Sequence, residues 1–165
     1  MSSCKITIPF TPKPKASVEM TKGRWYNPSA RGMKRVIDHV SKVLHNKPMP
    51  LLRGPLLVIV HFVLPAPLSL PKGKREAQNC LPHIKRPDGD NLEKFLNDSL
   101  TGVVWEDDAR VSWILRSKTI TSEKEGYTIF YAQEINDAGP DYHGILEAIR
   151  EHIYINKGET NAAND

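Results

Sequence analysis

Gly54-Pro55-Leu56-Leu57-Val58-Ile59-Val60-His61-Phe62-Val63 is the stretch on which the fold turns. The Gly-Pro pair breaks the chain, and the run after it is apolar at consecutive positions rather than at alternate ones. That pattern predicts a central strand buried on both faces. His61 inside it is read as a satisfied core or edge histidine, not a ligand. From Leu56 to Leu64 the run is far shorter than the roughly 20 residues of a membrane-spanning helix, so no membrane partner is expected.

Working outward, residues 5–10 alternate Ile6, Ile8 and Phe10 with more polar positions, which predicts a first strand that Pro9 confines to an edge or an end. Residues 11–28 read as a cationic loop whose Trp25-Tyr26 adds aromatic surface, either a surface loop with one hydrophobic anchor or a direct nucleic-acid contact. Ser29 is the expected cap of a helix to about Leu44, with Met33, Val36, Ile37, Val40 and Leu44 on one face. Its opposite stripe carries Arg31, Arg35, Lys42 and His45, either a solvated face or a DNA contact.

On the other side of the central run, residues 65–87 show no periodicity but hold Pro65, Pro67, Pro71, Pro82 and the basic cluster Lys72, Lys74 and Arg75. A loop of this length in a compact domain is usually functional, and a basic flap is expected here. Asp90-Asn91-Leu92-Glu93 has capping-box spacing, with Leu92, Phe95, Leu96 and Leu100 as an apolar helical face ending near Gly102. A short strand at residues 103–105 follows. Val111, Trp113 and Leu115 then alternate in a second strand, and Glu125-Gly126 turns into a third over residues 127–133, expected to pair with its predecessor as a hairpin. Tyr142, Ile145, Leu146, Ile149 and Ile153 suit a C-terminal helix.

With 165 residues and 39% hydrophobic content, the chain fits one domain. The expected architecture is α/β (α+β), a mixed sheet of four to five strands packed with two to three helices, with residues 136–165 a helix and polar tail rather than a second domain. Cys4 and Cys80 form no paired motif and the N-terminus has no signal-peptide pattern, so an intracellular, cytoplasmic protein is expected. Cys80-Leu81-Pro82-His83 has the spacing of half a zinc site without a second half.

Chemistry concentrates in two acidic stretches, Lys85-Arg86-Pro87-Asp88-Gly89-Asp90-Asn91-Leu92-Glu93-Lys94 and Glu106-Asp107-Asp108. They read as two halves of one divalent-metal site, because hard cations take several oxygen ligands and leave positions for phosphate and water. Capping accounts for Asp90 but not for Asp88 or for Lys85-Arg86. Lys94, one turn beyond Asp90, is either a surface salt bridge or an ammonium placed to offset phosphate charge. A calcium loop fails, since Leu92 and Glu93 stand where an EF-hand needs an acid or amide and a glycine. The formal charge of +4 around an acidic focus suits a polyanionic partner that needs metal for its chemistry.

The two linked motifs, Asp-x-Asp-Asn-Leu-x-Lys at 88–94 and Gly-x-x-x-x-Asp-Asp-x-x-Val at 102–111, resemble the signature of RusA-type Holliday-junction resolvases, and the order of strands and helices is similar over residues 5–135. The resemblance implies a homodimeric endonuclease that cuts four-way DNA junctions in recombination and repair, using Mg²⁺ or Mn²⁺, and nucleoid-associated in a prokaryotic or phage setting. It implies metal ligands at Asp88, Asp90 and Asp108, with Asp107 a ligand or a turn former, and a catalytic lysine at Lys94. Asn91 matches the motif as a residue fixing the helix start. Lys85 and Arg86 are the expected phosphate contacts, with Asn91, Arg31, Arg35, Lys72, Lys74 and Arg75 as further DNA-binding candidates. A nuclease for flaps, forks or single strands and a catalytically weak junction-binding protein are the alternatives.

Overall fold

The computed structural model describes residues 2–135; the expected C-terminal helix and tail lie outside them. The elements are β1 (Ser3–Ile8), β2 (Glu19–Thr21), β3 (Arg24–Tyr26), α1 (Ala30–Asn46), β4 (Leu56–Pro65), α2 (Lys72–Glu76), α3 (Gly89–Leu100), β5 (Val111–Thr121) and β6 (Tyr127–Glu134). Among the described residues they form an α+β fold, with a four-stranded mixed sheet of order β1-β6-β4-β5 and a separate β2-β3 hairpin.

β4 lies mid-sheet, and both of its faces are covered. Val58, Val60, Phe62 and Leu64 join Ile6, Ile8 and Phe130 under α1 and α3, which contribute Val36, Val40, Leu92, Phe95, Leu96 and Leu100. Leu57 and Ile59 are buried on the opposite face beside Leu115 and Tyr131. Burying an aliphatic side chain is worth about 1.5–3 kcal/mol, which makes this strand the chief apolar contributor to the fold. His61 is half-buried, with its Nδ1 2.7 Å from Ser117 Oγ and its Nε2 3.1 Å from Thr119 Oγ1. Burial lowers its pKa, in keeping with a satisfied neutral histidine.

β5 and β6 do not form the expected hairpin. β4 lies between them, parallel to β5 and antiparallel to β6. The crossover depends on Gly126, where a Cβ would stand 2.1 Å from the Val63 carbonyl oxygen. Only glycine lets the chain pass so close over the end of β4 before Tyr127 pairs with Val63. The expected strand at 103–105 is instead a turn that drives Trp105 wholly into the core, bridged to Leu52.

Two further expectations change. Residues 11–28 are not all loop, since 19–26 form the β2-β3 hairpin, and Trp25 is 72% exposed rather than an anchor. The 65–87 stretch contains α2, and its later part lies along β5: Cys80 N donates to Ile120 O, Ile120 N to Leu81 O, and His83 N to Lys118 O. The basic flap is therefore tied to the outer side of the sheet just before the acidic motif begins.

Candidate active site

α3 begins two residues earlier than capping by Asp90 requires. Asp88 occupies the N-cap position with extended backbone, φ −70° and ψ 144°, yet its side chain makes no capping hydrogen bond, and Asp90 lies in the first turn. Both carboxylates are exposed. The dipole at a helix start favours negative charge there by about 0.3–1 kcal/mol. Lys94 Nζ is 3.7 Å from Asp90 Oδ2, with side-chain exposures of 65% and 53%. An ion pair so open contributes little to stability, and its ammonium is accessible to a ligand.

Two cations that the sequence reading passed over fix this region from β5. Lys118 Nζ donates to Pro87 O at 2.8 Å and to Lys85 O at 3.1 Å, clamping the segment that carries Lys85 to Asp88. Arg116 donates to Glu93 Oε2 at 2.5 Å, and its guanidinium lies against Gly89, where a Cβ would come within 2.9 Å of Nε. Gly89 thus leaves room for an arginine laid against the helix start. The available signal was alternation: Ile114 faces the core, and the next same-face positions, Arg116 and Lys118, are cationic.

A groove of about 1150 Å³ opens at this helix start, with Lys15, His83, Lys85, Arg86, Asp88 and Asn91 among its walls. Lys85 and Arg86 are exposed. His83 Nδ1 is shut off from solvent without a hydrogen-bond partner, and desolvation, then the Lys118 charge, lowers its pKa. A neutral imidazole therefore stands in the wall near physiological pH. Asn91 ties the helix start to the N-terminal segment, its carbonyl accepting from Lys15 N at 2.9 Å, while Lys15 also pairs with Asp98.

The second acidic stretch is set apart. Asp107 Oδ1 accepts from Ala109 N at 2.8 Å and caps the single 3-10 turn Asp108–Arg110; Glu106 pairs with Arg110 at 3.1 Å. Asp107 thus shapes this turn through Oδ1. Asp108 is exposed just before β5. Among the described residues no group of three His, Cys, Asp or Glu side chains is gathered closely enough to hold one ion. The donor chemistry at Asp88 and Asp90 nonetheless suits a hard divalent cation, since Mg²⁺ is commonly held by one or two carboxylates with water and phosphate completing its shell. The Cys80–His83 pair likewise belongs to no such group among the described residues.

Of the outlying cations, Arg35 lies over the Phe10 ring, 3.7 Å from its centroid, and Arg31 is exposed on the same helix. Lys72 is 3.7 Å from Glu76 on α2, Lys74 is exposed, and Arg75 is half-buried with its Nε lacking a hydrogen-bond partner. Against known proteins, the family model described as endodeoxyribonuclease RusA matches residues 8–130. No curated protein matches the chain.

Proposed function

Because the chain belongs to the RusA endodeoxyribonuclease family, we propose that it is a structure-selective nuclease that resolves four-way (Holliday) DNA junctions by paired nicking in recombination and repair. The observation that carries the reading is the juxtaposition at one groove of the exposed carboxylate Asp88, with Asp90 beside it, and the exposed cations Lys85 and Arg86. A stability role leaves Asp88 without a purpose, because it sits at the cap position without capping.

In this reading Lys85 and Arg86 hold the cut strand by its phosphates, Asn91 and Lys118 keep the acidic segment in place, and Asp88 and Asp90 hold Mg²⁺, for which Mn²⁺ can substitute. When bound, such an ion activates water and offsets charge building on the phosphate. Lys94 adds its ammonium to the same charge balance. Asp108 is assigned to the site by its motif alone, since among the described residues it does not gather with Asp88 and Asp90. Two equivalent strands in a four-way junction call for two equivalent sites, which a two-fold homodimer supplies.

The test is incubation of the protein with end-labelled four-way, forked and linear DNA of matched sequence, with and without Mg²⁺. Metal-dependent nicks in two opposed strands of the four-way substrate are expected. Preference for forks or flaps assigns a different branched substrate, and no cleavage of any substrate in Mg²⁺ or Mn²⁺ refutes the reading.

A further inference from the structure

The β2-β3 hairpin exposes apolar side chains that the fold does not use. Its register pairs Met20 with Trp25 on one face and Glu19 with Tyr26 on the other. Met20 is 60% exposed, Trp25 72%, Tyr26 55%, and Val18 just before the hairpin 52%. An isolated two-stranded ribbon is marginal in water, and a clustered apolar surface on one marks an interaction site. Its turn, Lys22-Gly23, has positive φ at both residues, 51° and 74°, the geometry that matches the twist of a tight hairpin.

Its position gives the exposed side chains a direction. Ala16 N donates to Ser29 Oγ at 2.9 Å, joining the two feet of the hairpin where α1 starts; the hydroxyl expected to cap α1 is used for this instead. Lys15 N donates to Asn91 O, one residue from Asp90, so the arm springs from the rim of the acidic groove. Its cations are Lys22, in the turn beside the Trp25 strand, and Arg24, which pairs with Thr21 on the Glu19–Tyr26 face; Lys13 precedes it. An exposed aromatic ring with a cation at the neighbouring turn is a surface for a nucleobase and a phosphate beside it.

We propose that the hairpin is a DNA-contacting arm: Trp25, backed by Met20, stacks on a base that is unpaired or unstacked where strands branch, while Lys22 at the turn meets an adjoining phosphate. The arm supplies selectivity for branched over continuous duplex, because only a branch offers an open base face next to the cut strand. This rests on the branched-DNA reading above.

The experiment measures equilibrium binding in EDTA of a four-way junction and a linear duplex, each with 2-aminopurine replacing one base at the branch point or its linear counterpart. It compares wild type with Trp25→Ala and Trp25→Phe, with dimerisation followed by sedimentation. Trp25→Ala is expected to weaken junction binding roughly five- to a hundred-fold, the worth of one stacked base, to remove the 2-aminopurine fluorescence change, and to leave duplex binding within about twofold by the same principle of base-specific stacking. Trp25→Phe is expected to restore most of the affinity. Unchanged junction binding by Trp25→Ala, an equal loss on linear duplex, or an altered oligomeric state showing that the arm meets a second copy of the chain would each overturn the proposal alone. Wild-type protein with no preference for the junction would instead overturn the branched-DNA reading and this arm's role with it.

Discussion

Lys118→Met is the substitution that most directly probes how the fold holds the acidic segment. The side chain keeps its length and much of its apolar stem but loses the ammonium that donates to Pro87 O at 2.8 Å and Lys85 O at 3.1 Å. Hydrogen bonds involving a charged group are worth about 1.5–3 kcal/mol when sheltered; partial exposure here reduces each to about 1 kcal/mol. Two such bonds give about 2 kcal/mol, roughly a thirtyfold change in the population of the ordered segment. The core beneath is untouched, so a urea titration should show a stability loss of about that size or less. Cleavage of a four-way junction at saturating DNA is expected to fall by up to roughly thirtyfold, and the Mg²⁺ concentration for half-maximal rate to rise, because Asp88 is no longer pre-placed. Lys118→Arg, which retains the donors, should recover part of the loss. A Lys118→Met variant with unaltered Mg²⁺ dependence and rate would refute the clamp.

Lys94→Ala should leave melting almost unmoved, since an exposed i,i+4 pair is worth only about 0.3–0.5 kcal/mol, while cleavage slows at unchanged DNA affinity; an unfolded variant would return Lys94 to a purely structural role. Gly126→Ala should cost about 1–3 kcal/mol or more, because its Cβ would meet the Val63 carbonyl oxygen at 2.1 Å and backbone must move. Thermal unfolding reads this as a fall of roughly 2–4 °C per kcal/mol, and an unchanged melting temperature would contradict the close crossover over β4.

The parts of the fold that were legible in the sequence are those whose side chains report burial directly. β4 is apolar at consecutive positions because both faces are covered, and α3 repeats Leu92, Phe95, Leu96 and Leu100 because one face meets the sheet. Strand pairing was not legible in the same way. Glu125-Gly126 looks like a hairpin turn, and the requirement that sends the chain across β4 is a contact between Gly126 and Val63, 63 residues apart in sequence. The β2-β3 hairpin escaped because each strand has three residues, too short for a period, and Lys-Gly is a weaker turn signal than Asn-Gly. At the site, the motif singles out Asp88, Asp90 and Lys94 as candidates, whereas Lys118 and Arg116, which hold the same segment, come from a strand about 25 residues downstream, a spacing that no local pattern carries. That Asp108 does not gather with Asp88 and Asp90 among the described residues is likewise not legible in the motif.

The most direct measurement of the central claim is single-turnover cleavage of a synthetic four-way junction by wild type and Asp90→Asn across a Mg²⁺ titration, with junction binding measured on the same samples. Asp90→Asn removes one charge at nearly constant shape, at a position where the side chain is exposed and does not occupy the cap. Wild type is expected to nick opposed strands only when Mg²⁺ is present, and Asp90→Asn to bind the junction with similar affinity yet give no detectable cleavage at any Mg²⁺ concentration. Undiminished cleavage by Asp90→Asn would contradict the assignment of the α3 carboxylates to a metal-dependent nuclease site.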